Sequence, residues 1–239
     1  MHIGVINSNI KIVTNGLMEY WDGSQLRSNP GSGTSWYDVG GRNKTGTLVN
    51  GAAFTSASGG GVSFDGNDDR VNLYTNNAET DDIYSVSGVT FSAWASANYF
   101  LGARAIFFAG NTIWQAFGPW LYMGVGGGNV DIAWHICNAG GSRTTITYRN
   151  LITFGQLFYV TGTYNGSTLN LYHNGVFQST GTLGGNIFRN TGVITLLGYH
   201  QGDSYPWLGN IYSAKIYNRA LTAAEILQNY NATKTRFGL

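Results

Sequence analysis

Hydrophobic positions along this chain fall in short runs that are separated by clusters of Gly, Asn and Ser. Runs such as residues 89–95 and 144–148 are rich in β-branched and aromatic side chains, which favour β strands. Clusters such as residues 29–33 and 126–129 are typical of turns, because glycine adopts backbone angles that other residues avoid. Many short strands divided by glycine-rich turns predict an all-β sandwich or jelly roll.

The clearest local pattern lies in the second half of the chain. Residues 158–178 contain three strand-like runs, divided by Asn165-Gly166 and by Asn174-Gly175. An Asn-Gly pair between alternating runs is typical of a two-residue hairpin turn. The pattern predicts a three-stranded antiparallel meander, with a type I′ turn at Asn165-Gly166.

Only one segment has the pattern of a helix, and it lies near the C-terminus. Thr222 is a suitable N-cap and Glu225 follows three residues later, which together predict a capping box. Leu221 and Ile226 have the spacing of a hydrophobic staple. Asn231 is a suitable terminator, so we expect a short helix that ends there.

The composition narrows the range of partners. Charged residues make up only 10% of the 239 residues, against about 25% in an average soluble protein. The formal net charge is +1 and there is no run of Lys or Arg, so we expect no nucleic acid partner. No stretch approaches the roughly 20 apolar residues of a membrane-spanning helix, so we expect no membrane insertion. A surface of neutral polar and aromatic residues suits sugars or permanent contacts with other subunits.

The organisation of the chain is that of one domain with a short leading segment. Residues 1–15 precede the first strong pattern and predict an extended N-terminal arm. Residues 16–239 are expected to form one domain, because no Pro-rich or charged linker divides them. The first residues lack the charged and apolar regions of a signal peptide, so we expect synthesis in a cytoplasm. Cys137 is the only cysteine, which excludes a disulfide within the chain.

A series of motifs, in order along about nine-tenths of the chain, resembles the concanavalin A-like domains of the laminin-G and pentraxin type. The motifs are GLMEYWD (16–22), NPGSGTSWYD (29–38), GTLVNG (46–51), VSFDGNDDRV (62–71), TFSAW (90–94), VTGTYNG (160–166), LYHNG (171–175), LGNI (208–211) and IYNRALTAAEI (216–226). The resemblance implies a two-sheet antiparallel jelly-roll β-sandwich with one short C-terminal helix.

A narrower resemblance is to stand-alone domains of this type in the virions of tailed bacteriophages. It rests on residues 12–17 at the start and on residues 230–239 at the end. This resemblance implies a decoration or tail-fibre protein that is located in the virion, forms a homo-oligomer and contacts other virion proteins. Fold resemblance alone does not establish function, because the family also includes lectin-like modules, adhesion domains and glucanases.

The residues offer little support for enzymatic chemistry. A glycosidase of this fold needs two carboxylates about 5–5.5 Å apart for a retaining reaction. The chain has only three Glu, namely Glu19, Glu79 and Glu225, and no strand carries closely spaced acids on one face. It also lacks a Gly-x-Ser-x-Gly motif and the His and Cys spacing of a zinc site. We therefore expect a protein that is not an enzyme.

Calcium is the one metal that the sequence suggests. Asp65, Asn67, Asp68 and Asp69 lie in one turn, and calcium prefers carboxylate and carbonyl oxygens. Related domains often bind calcium at a sandwich edge, so the resemblance implies a calcium site here. The alternative is ordinary turn chemistry, since Asp and Asn also stabilise turns by local hydrogen bonds.

Six aromatic residues are candidates for contact with a ligand or another subunit. The segment Tyr205-Pro206-Trp207 follows Gly-Asp-Ser and is expected to form an exposed loop tip. The alternative for every tryptophan is a place in the core. The candidates are Trp114, Trp120, Tyr122, Tyr199, Tyr205 and Trp207.

Two functions follow from these observations. The first is a non-enzymatic virion structural or decoration protein that docks by protein–protein contacts. The alternative is a carbohydrate-binding module or adhesin that recognises glycans of cell surfaces or polysaccharides. The aromatic candidates serve as a subunit interface in the first case and as a glycan platform in the second.

Overall fold

The computed structural model describes residues 10–74, 88–110, 117–126, 129–149, 152–187, 194–199 and 205–239. Within these ranges every pair of neighbouring strands is antiparallel. The strands are β1 (Leu17–Asp22), β2 (Ser35–Trp36), β3 (Gly46–Val49), β4 (Ala53–Thr55), β5 (Gly61–Asp65), β6 (Arg70–Tyr74), β7 (Val89–Ala97), β8 (Gly102–Gly110), β9 (Phe117–Gly126), β10 (Asn129–Cys137), β11 (Arg143–Arg149), β12 (Leu157–Tyr164), β13 (Thr168–His173), β14 (Val176–Thr182), β15 (Ile194–Leu197) and β16 (Leu208–Tyr217).

The strands form two sheets. The first has the order β14-β13-β12-β7-β16-β5-β4, and β1 pairs with β16 beside this path. The second has the order β11-β10-β9-β8-β15-β6-β3-β2. Neighbours in the sheets are often distant in the sequence, as in a jelly roll, and the predicted two-sheet β-sandwich is confirmed.

The core lies between the sheets and is rich in aromatic side chains. Trp21, Trp36, Trp134 and Trp207 are fully buried there. Phe91 of the first sheet packs against Trp134 of the second, with ring centroids 5.7 Å apart. Tilted ring pairs of this kind add to the stabilisation that burial already provides.

The predicted meander is present as β12, β13 and β14, but the turn type at its first corner is wrong. Asn174 and Gly175 both have positive φ, at 50° and 79°, as a type I′ turn requires. At the first corner only Gly166 has positive φ, and the loop has three residues. The side chain of Asn165 accepts hydrogen bonds from the backbone N–H groups of Ser167 and Thr168, which favours the longer loop.

The C-terminal helix, α1 (Ala223–Thr233), begins as the sequence predicts. Thr222 and Glu225 form the capping box, and Leu221 packs with Ile226 in one apolar cluster. The expected end at Asn231 is wrong: the helix continues into a short 3-10 helix (Lys234–Phe237). We call residues 222–239 the C-terminal segment.

The C-terminal segment covers the outer face of the first sheet. Trp94 on β7 packs against Tyr230 and Phe237, with centroid distances of 5.6 and 4.5 Å. Its indole N–H donates a hydrogen bond of 2.8 Å to Thr233. Trp94 is therefore fully buried beneath α1, on the outer side of the sheet rather than between the sheets.

The end of the predicted N-terminal arm also contacts this segment. Val13 is buried, and its N–H donates to the side chain of Asn229 at 2.8 Å. Its carbonyl accepts from the Tyr217 hydroxyl at 3.0 Å. Residues 1–9 of the arm lie outside the described ranges, and the domain boundary at residue 16 stays a prediction. Among the described helices, none is long and apolar enough to cross a membrane.

A first prediction concerns the packing of the two sheets. A Cβ atom at Gly162 would lie 2.6 Å from Cε3 of the buried Trp134 ring. We expect Gly162→Ala to destabilise the fold by about 3 kcal/mol, because neither backbone nor ring can move freely. Chemical denaturation measures this difference. Gly184→Ala is the control, since no atom lies within 4 Å of its Cβ position, and an equal loss there would contradict the argument.

A second prediction concerns Glu225. Its bidentate ion pair with Arg219 lowers the pKa of Glu225 to about 2. A carboxyl with a lowered pKa stabilises the fold above its unfolded pKa, and this contribution is lost as the pH falls towards 2. Glu225→Gln keeps a capping-box residue and removes the charge, so we expect a loss of about 1–2 kcal/mol at pH 7. The difference between the two proteins in thermal unfolding should shrink steadily from pH 5 to pH 2, and a constant difference would contradict this origin.

Candidate functional site

The outer face of the second sheet follows from the alternation of side chains along β9 and β10. Leu121 and Met123 on β9 point into the core, so Trp120 and Tyr122 point outward. Both outward rings are half-buried rather than enclosed. We call the outer face of β8, β9, β10 and β11 the open face.

Three aromatic rings on the open face form one stack. The rings of Trp120 and Tyr122 lie 4.0 Å apart at an angle of 25°. The ring of Tyr205 lies 5.8 Å from Trp120 at 16°. We call this set the aromatic stack, and near-parallel packing restricts the rotation of each ring.

The backbone fixes Tyr205 beside β8. The N–H of Ala105 donates to the carbonyl of Tyr205 at 3.0 Å, and the N–H of Trp207 donates to the carbonyl of Gly198 at 2.7 Å. These bonds tie the segment before β16 to the second sheet. Two of the predicted contact residues on β9 and the distant Tyr205 thus come together in space.

Trp207 is not a surface residue, so the prediction that it forms an exposed contact is wrong. It is fully buried, and its ring lies 6.3 Å from the rings of Phe100 and Phe158. Burial of so large an apolar ring between two sheets outweighs the turn signals that precede it. Trp207 instead anchors the segment that carries Tyr205.

Of the other two predicted aromatic residues, the structure describes Tyr199. Tyr199 is half-buried, and the guanidinium of Arg70 lies 5.7 Å from its ring centroid. Trp114 is outside the described ranges.

Polar side chains border the aromatic stack on β10 and β11. The register pairs Asp131 with Arg149 and His135 with Thr145. Arg149 Nε lies 3.7 Å from a carboxylate oxygen of Asp131, and His135 Nδ1 lies 2.7 Å from the Thr145 hydroxyl. These four residues were not predicted as site residues, although the alternation along β10 contains the signal.

Two ionisable side chains on this face, those of His135 and Tyr122, have shifted pKa values. Burial lowers the pKa of His135 to about 4, and the charge of Arg143 lowers it further. Burial raises the pKa of Tyr122, and the charge of Asp131 acts in the same direction. His135 and Tyr122 are therefore neutral at pH 7 and present hydrogen-bonding groups without charge.

Small residues flank the aromatic stack. Tyr122 is paired across the sheet with Ala105 on β8 and with Ala133 on β10. Both alanines are buried, so larger side chains cover them. The face thus combines an apolar aromatic stack with polar borders.

Carboxylates are scarce on this sheet. In the described strands of the second sheet, Asp131 is the only acidic residue. Hydrolysis of a glycosidic bond by the two-carboxylate mechanism requires a second acid on the opposite side of the bond.

The acidic turn predicted as a calcium site forms a real cluster. Carboxylate oxygens of Asp65, Asp68 and Asp69 lie within 4.8 Å of one another. Asn67 joins the turn through its backbone N–H, which donates to Asp65, and its side chain is exposed. The predicted residues are therefore together, with Asn67 at the margin.

Some of these carboxylate oxygens already accept hydrogen bonds that stabilise the turn. Asp69 Oδ2 accepts from the N–H of Asp65, and Asp68 Oδ2 accepts from the amide of Asn50, both at 2.8 Å. Asp69 is 2% exposed, and its other oxygen has no hydrogen-bond partner among the described residues. Burial raises the pKa of Asp69, and the charges of Asp65 and Asp68 raise it further. A cation would compensate this charge, so the donor set fits calcium.

Solved structures share this fold. Domain 4 of AbnA, a GH43 extracellular arabinanase from Geobacillus stearothermophilus, in complex with arabinotriose, matches with a TM-score of 0.65 and 18% identity, over 90% of this chain and 98% of that one. The binding domain of botulinum neurotoxin serotype D matches with a TM-score of 0.66 and 15% identity, over 92% of this chain and 53% of that one.

The serotype D ligand binding domain has also been solved in complex with N-acetylneuraminic acid, and it matches with a TM-score of 0.65 and 14% identity, over 92% of this chain and 52% of that one. This chain therefore spans about half the length of the toxin chains. Identities this low show a common fold. A comparison with curated proteins finds no match.

The family model described as the concanavalin A-like lectin/glucanases superfamily matches residues 65–227. This range covers more than half of the chain and includes β7 to β16 with the open face. The chain belongs to the concanavalin A-like lectin/glucanases superfamily.

Proposed function

We propose that this protein is a non-enzymatic carbohydrate-binding domain that holds an uncharged part of a glycan on its open face. The aromatic stack of Trp120, Tyr122 and Tyr205 is the observation that carries this proposal. This is the second of the two functions that the sequence predicts.

The chemistry of a sugar ring suits such a surface. A pyranose or furanose presents C–H groups on its faces and hydroxyls around its edge. The C–H groups pack against aromatic rings, whose faces carry partial negative charge. Stacked rings are already ordered, so binding costs little side-chain entropy.

The polar border supplies groups for the hydroxyls. Asp131 accepts hydrogen bonds, Arg149 donates them, and Thr145 and Thr147 do both. Both threonines are exposed on β11. Few precisely placed polar groups beside an apolar ridge are typical of small-ligand sites.

The comparisons support the proposal in a general way. One structural neighbour is described in complex with arabinotriose and another in complex with N-acetylneuraminic acid. The first is described as domain 4 of an extracellular arabinanase, and the second as the ligand binding domain of a neurotoxin. The scarcity of acids on the second sheet favours binding without hydrolysis.

We also propose that calcium binds to Asp65, Asp68 and Asp69. The buried, unpartnered oxygen of Asp69 supports this within the described part of the chain. The ion would hold the turn between β5 and β6, and it has no assigned part in glycan contact.

A virion structural role is a second proposal, and a different set of residues favours it. Several large apolar side chains away from the open face are exposed. Leu26 is 88% exposed, Tyr99 68% and Leu101 65%. Exposed apolar side chains on a surface with few charges suit contacts with other subunits of a particle.

The glycan proposal is tested with a glycan array, followed by calorimetry on the best ligand. We expect Trp120→Ala to weaken binding at least tenfold, about 1.4 kcal/mol, because Trp120 packs against both Tyr122 and Tyr205 and its loss leaves neither ring held in place. Tyr99→Ala removes a more exposed aromatic ring at another site and should bind like the wild type. If no glycan on the array bound, with or without calcium, the proposal would be refuted. An equal loss of glycan affinity in both variants would also refute it.

The calcium proposal is tested by thermal unfolding in 2 mM calcium and in EDTA. A site with a millimolar or tighter dissociation constant should raise the unfolding midpoint by at least about 1–2 °C in calcium. Asp68→Asn keeps the acceptor for Asn50 and removes one charge, so the calcium effect should shrink. Identical curves in calcium and EDTA for the wild type would refute the site.

The virion proposal is tested by light scattering and by sedimentation with particles. A closed oligomer that sediments with phage particles is the expected result. A monomer that stays in the supernatant would contradict it and leave the glycan proposal untouched.

A further inference from the structure

Beneath the C-terminal segment, two rows of side chains cross the outer face of the first sheet. The register places the residues of each row directly opposite one another on neighbouring strands. The first row consists of Tyr20 (β1), Lys215 (β16), Ser92 (β7) and Thr161 (β12). The second row consists of Asp22 (β1), Ser213 (β16), Trp94 (β7) and Tyr159 (β12).

Lys215 stands at the centre of this face and is completely buried. Its Nζ has no hydrogen-bond partner among the described residues. The face of the Tyr20 ring lies 4.2 Å away and stabilises the ammonium on one side. A buried ammonium normally has an acceptor as well, because burial without one is costly.

The neighbouring acid cannot serve as that acceptor. The Asp22 carboxylate already accepts hydrogen bonds from five groups: the Tyr20 hydroxyl, the Ser24 N–H and hydroxyl, the Gln25 amide and the Arg236 guanidinium. Two carboxylate oxygens offer about four lone-pair sites, so this group is saturated. Its charge is matched by Arg236, and the charge of Lys215 is left without a counterpart in the described cluster.

Besides Tyr20, four residues with hydroxyl groups share the two rows with Lys215. Those of Ser92, Thr161, Ser213 and Tyr159 are all on residues that are 1% exposed. In the part of the chain that is described, none of these hydroxyls has a hydrogen-bond partner outside the cluster. Burial raises the pKa of the Tyr159 phenol, and hydrogen bonding by the hydroxyls of Ser92 and Thr161 opposes this rise, so these three groups contact one another.

Five buried polar groups in these two rows have no hydrogen-bond partner outside their own cluster in the described part of the chain, which is unusual, since buried polar groups nearly always have partners. All five can donate a hydrogen bond, and one carries a positive charge. The positive charge of the Lys215 ammonium excludes a cation from this cluster. A dianion would bring more negative charge than the single positive charge of Lys215 can match. We propose that this cluster binds a small monovalent anion of chloride size, held by Lys215 Nζ and by the hydroxyls of Ser92, Thr161, Ser213 and Tyr159.

The charge state of Lys215 agrees with this role. Burial lowers the pKa of Lys215 to about 8, while the charge of Asp22 opposes the shift. The amine is therefore still mostly protonated at pH 7. The anion would also strengthen the docking of the C-terminal segment, because Trp94 and Asp22 of the second row bind Thr233 and Arg236.

The first test is crystallographic. Crystals of the full chain soaked in sodium bromide should give an anomalous peak within hydrogen-bond distance of Lys215 Nζ, beneath α1. Density at this position without anomalous signal would identify a water molecule and overturn the proposal.

The second test measures thermal unfolding at pH 7 and constant ionic strength while sodium chloride replaces sodium gluconate. At ten times the dissociation constant, chloride should raise the wild-type midpoint by about 3–5 °C. Lys215→Met should abolish this shift. Lys234→Met is the matched control, because Lys234 also lies over a tyrosine ring, 5.3 Å from that of Tyr230, but outside the cluster.

A third variant guards against the loss of folding in Lys215→Met. Thr161→Val keeps the shape of the side chain and removes one hydroxyl, so it should fold and show less than half of the chloride shift. An undiminished shift in Thr161→Val, or equal midpoints in chloride and gluconate for the wild type, would overturn the proposal.

Discussion

The ring of Trp134 lies between the two sheets in space that only a glycine at position 162 leaves free. This contact sets how closely β10 and β12 approach, and it fixes which residues of β10 face the core. Because side chains alternate along a strand, Ile132, Trp134 and Ile136 facing inward force Asp131 and His135 outward. The same rule on β9 puts Trp120 and Tyr122 on the open face. The candidate site is thus a consequence of the core, since a slip by one residue would bury the site and expose the core.

The outer faces of the two sheets differ in how far other described parts of the chain cover them. On the first sheet, Trp94 and Tyr159 are covered by α1 and by the 3-10 helix that follows. On the second sheet, the aromatic residues keep part of their surface accessible. Large aromatic rings on both faces would otherwise present extensive apolar surface to water. The C-terminal segment covers one of these surfaces, and the aromatic residues of the other remain partly accessible.

The few charged residues are concentrated at the junctions that hold this arrangement together. Arg219 pairs with Glu225 at the start of α1, and Arg236 pairs with Asp22 near its end. Burial acts to raise the pKa of Asp22, but the charge of Arg236 and the hydrogen bonds from Tyr20 and Ser24 outweigh it and lower the pKa to about 2. These pairs are partly or largely buried, so they fix the geometry of the segment more firmly than exposed pairs would. The buried Lys215 lies beside one of these junctions, where the unmatched charge motivates the proposed anion site.

The sequence by itself determined the elements that depend on local chemistry. The strand runs, the meander of β12 to β14 and the capping box of Thr222 and Glu225 follow from turn residues and short-range hydrogen bonds. The acidic turn at residues 65–69 is likewise local, so its members were found together. Tertiary structure decided what depends on contacts between distant residues. It brought Tyr205 to Trp120, buried Trp207 against Phe100 and Phe158, and placed Trp94 under α1 rather than between the sheets. An aromatic residue favours burial on either side of a sheet, and only the packing of the other elements determines which side is covered.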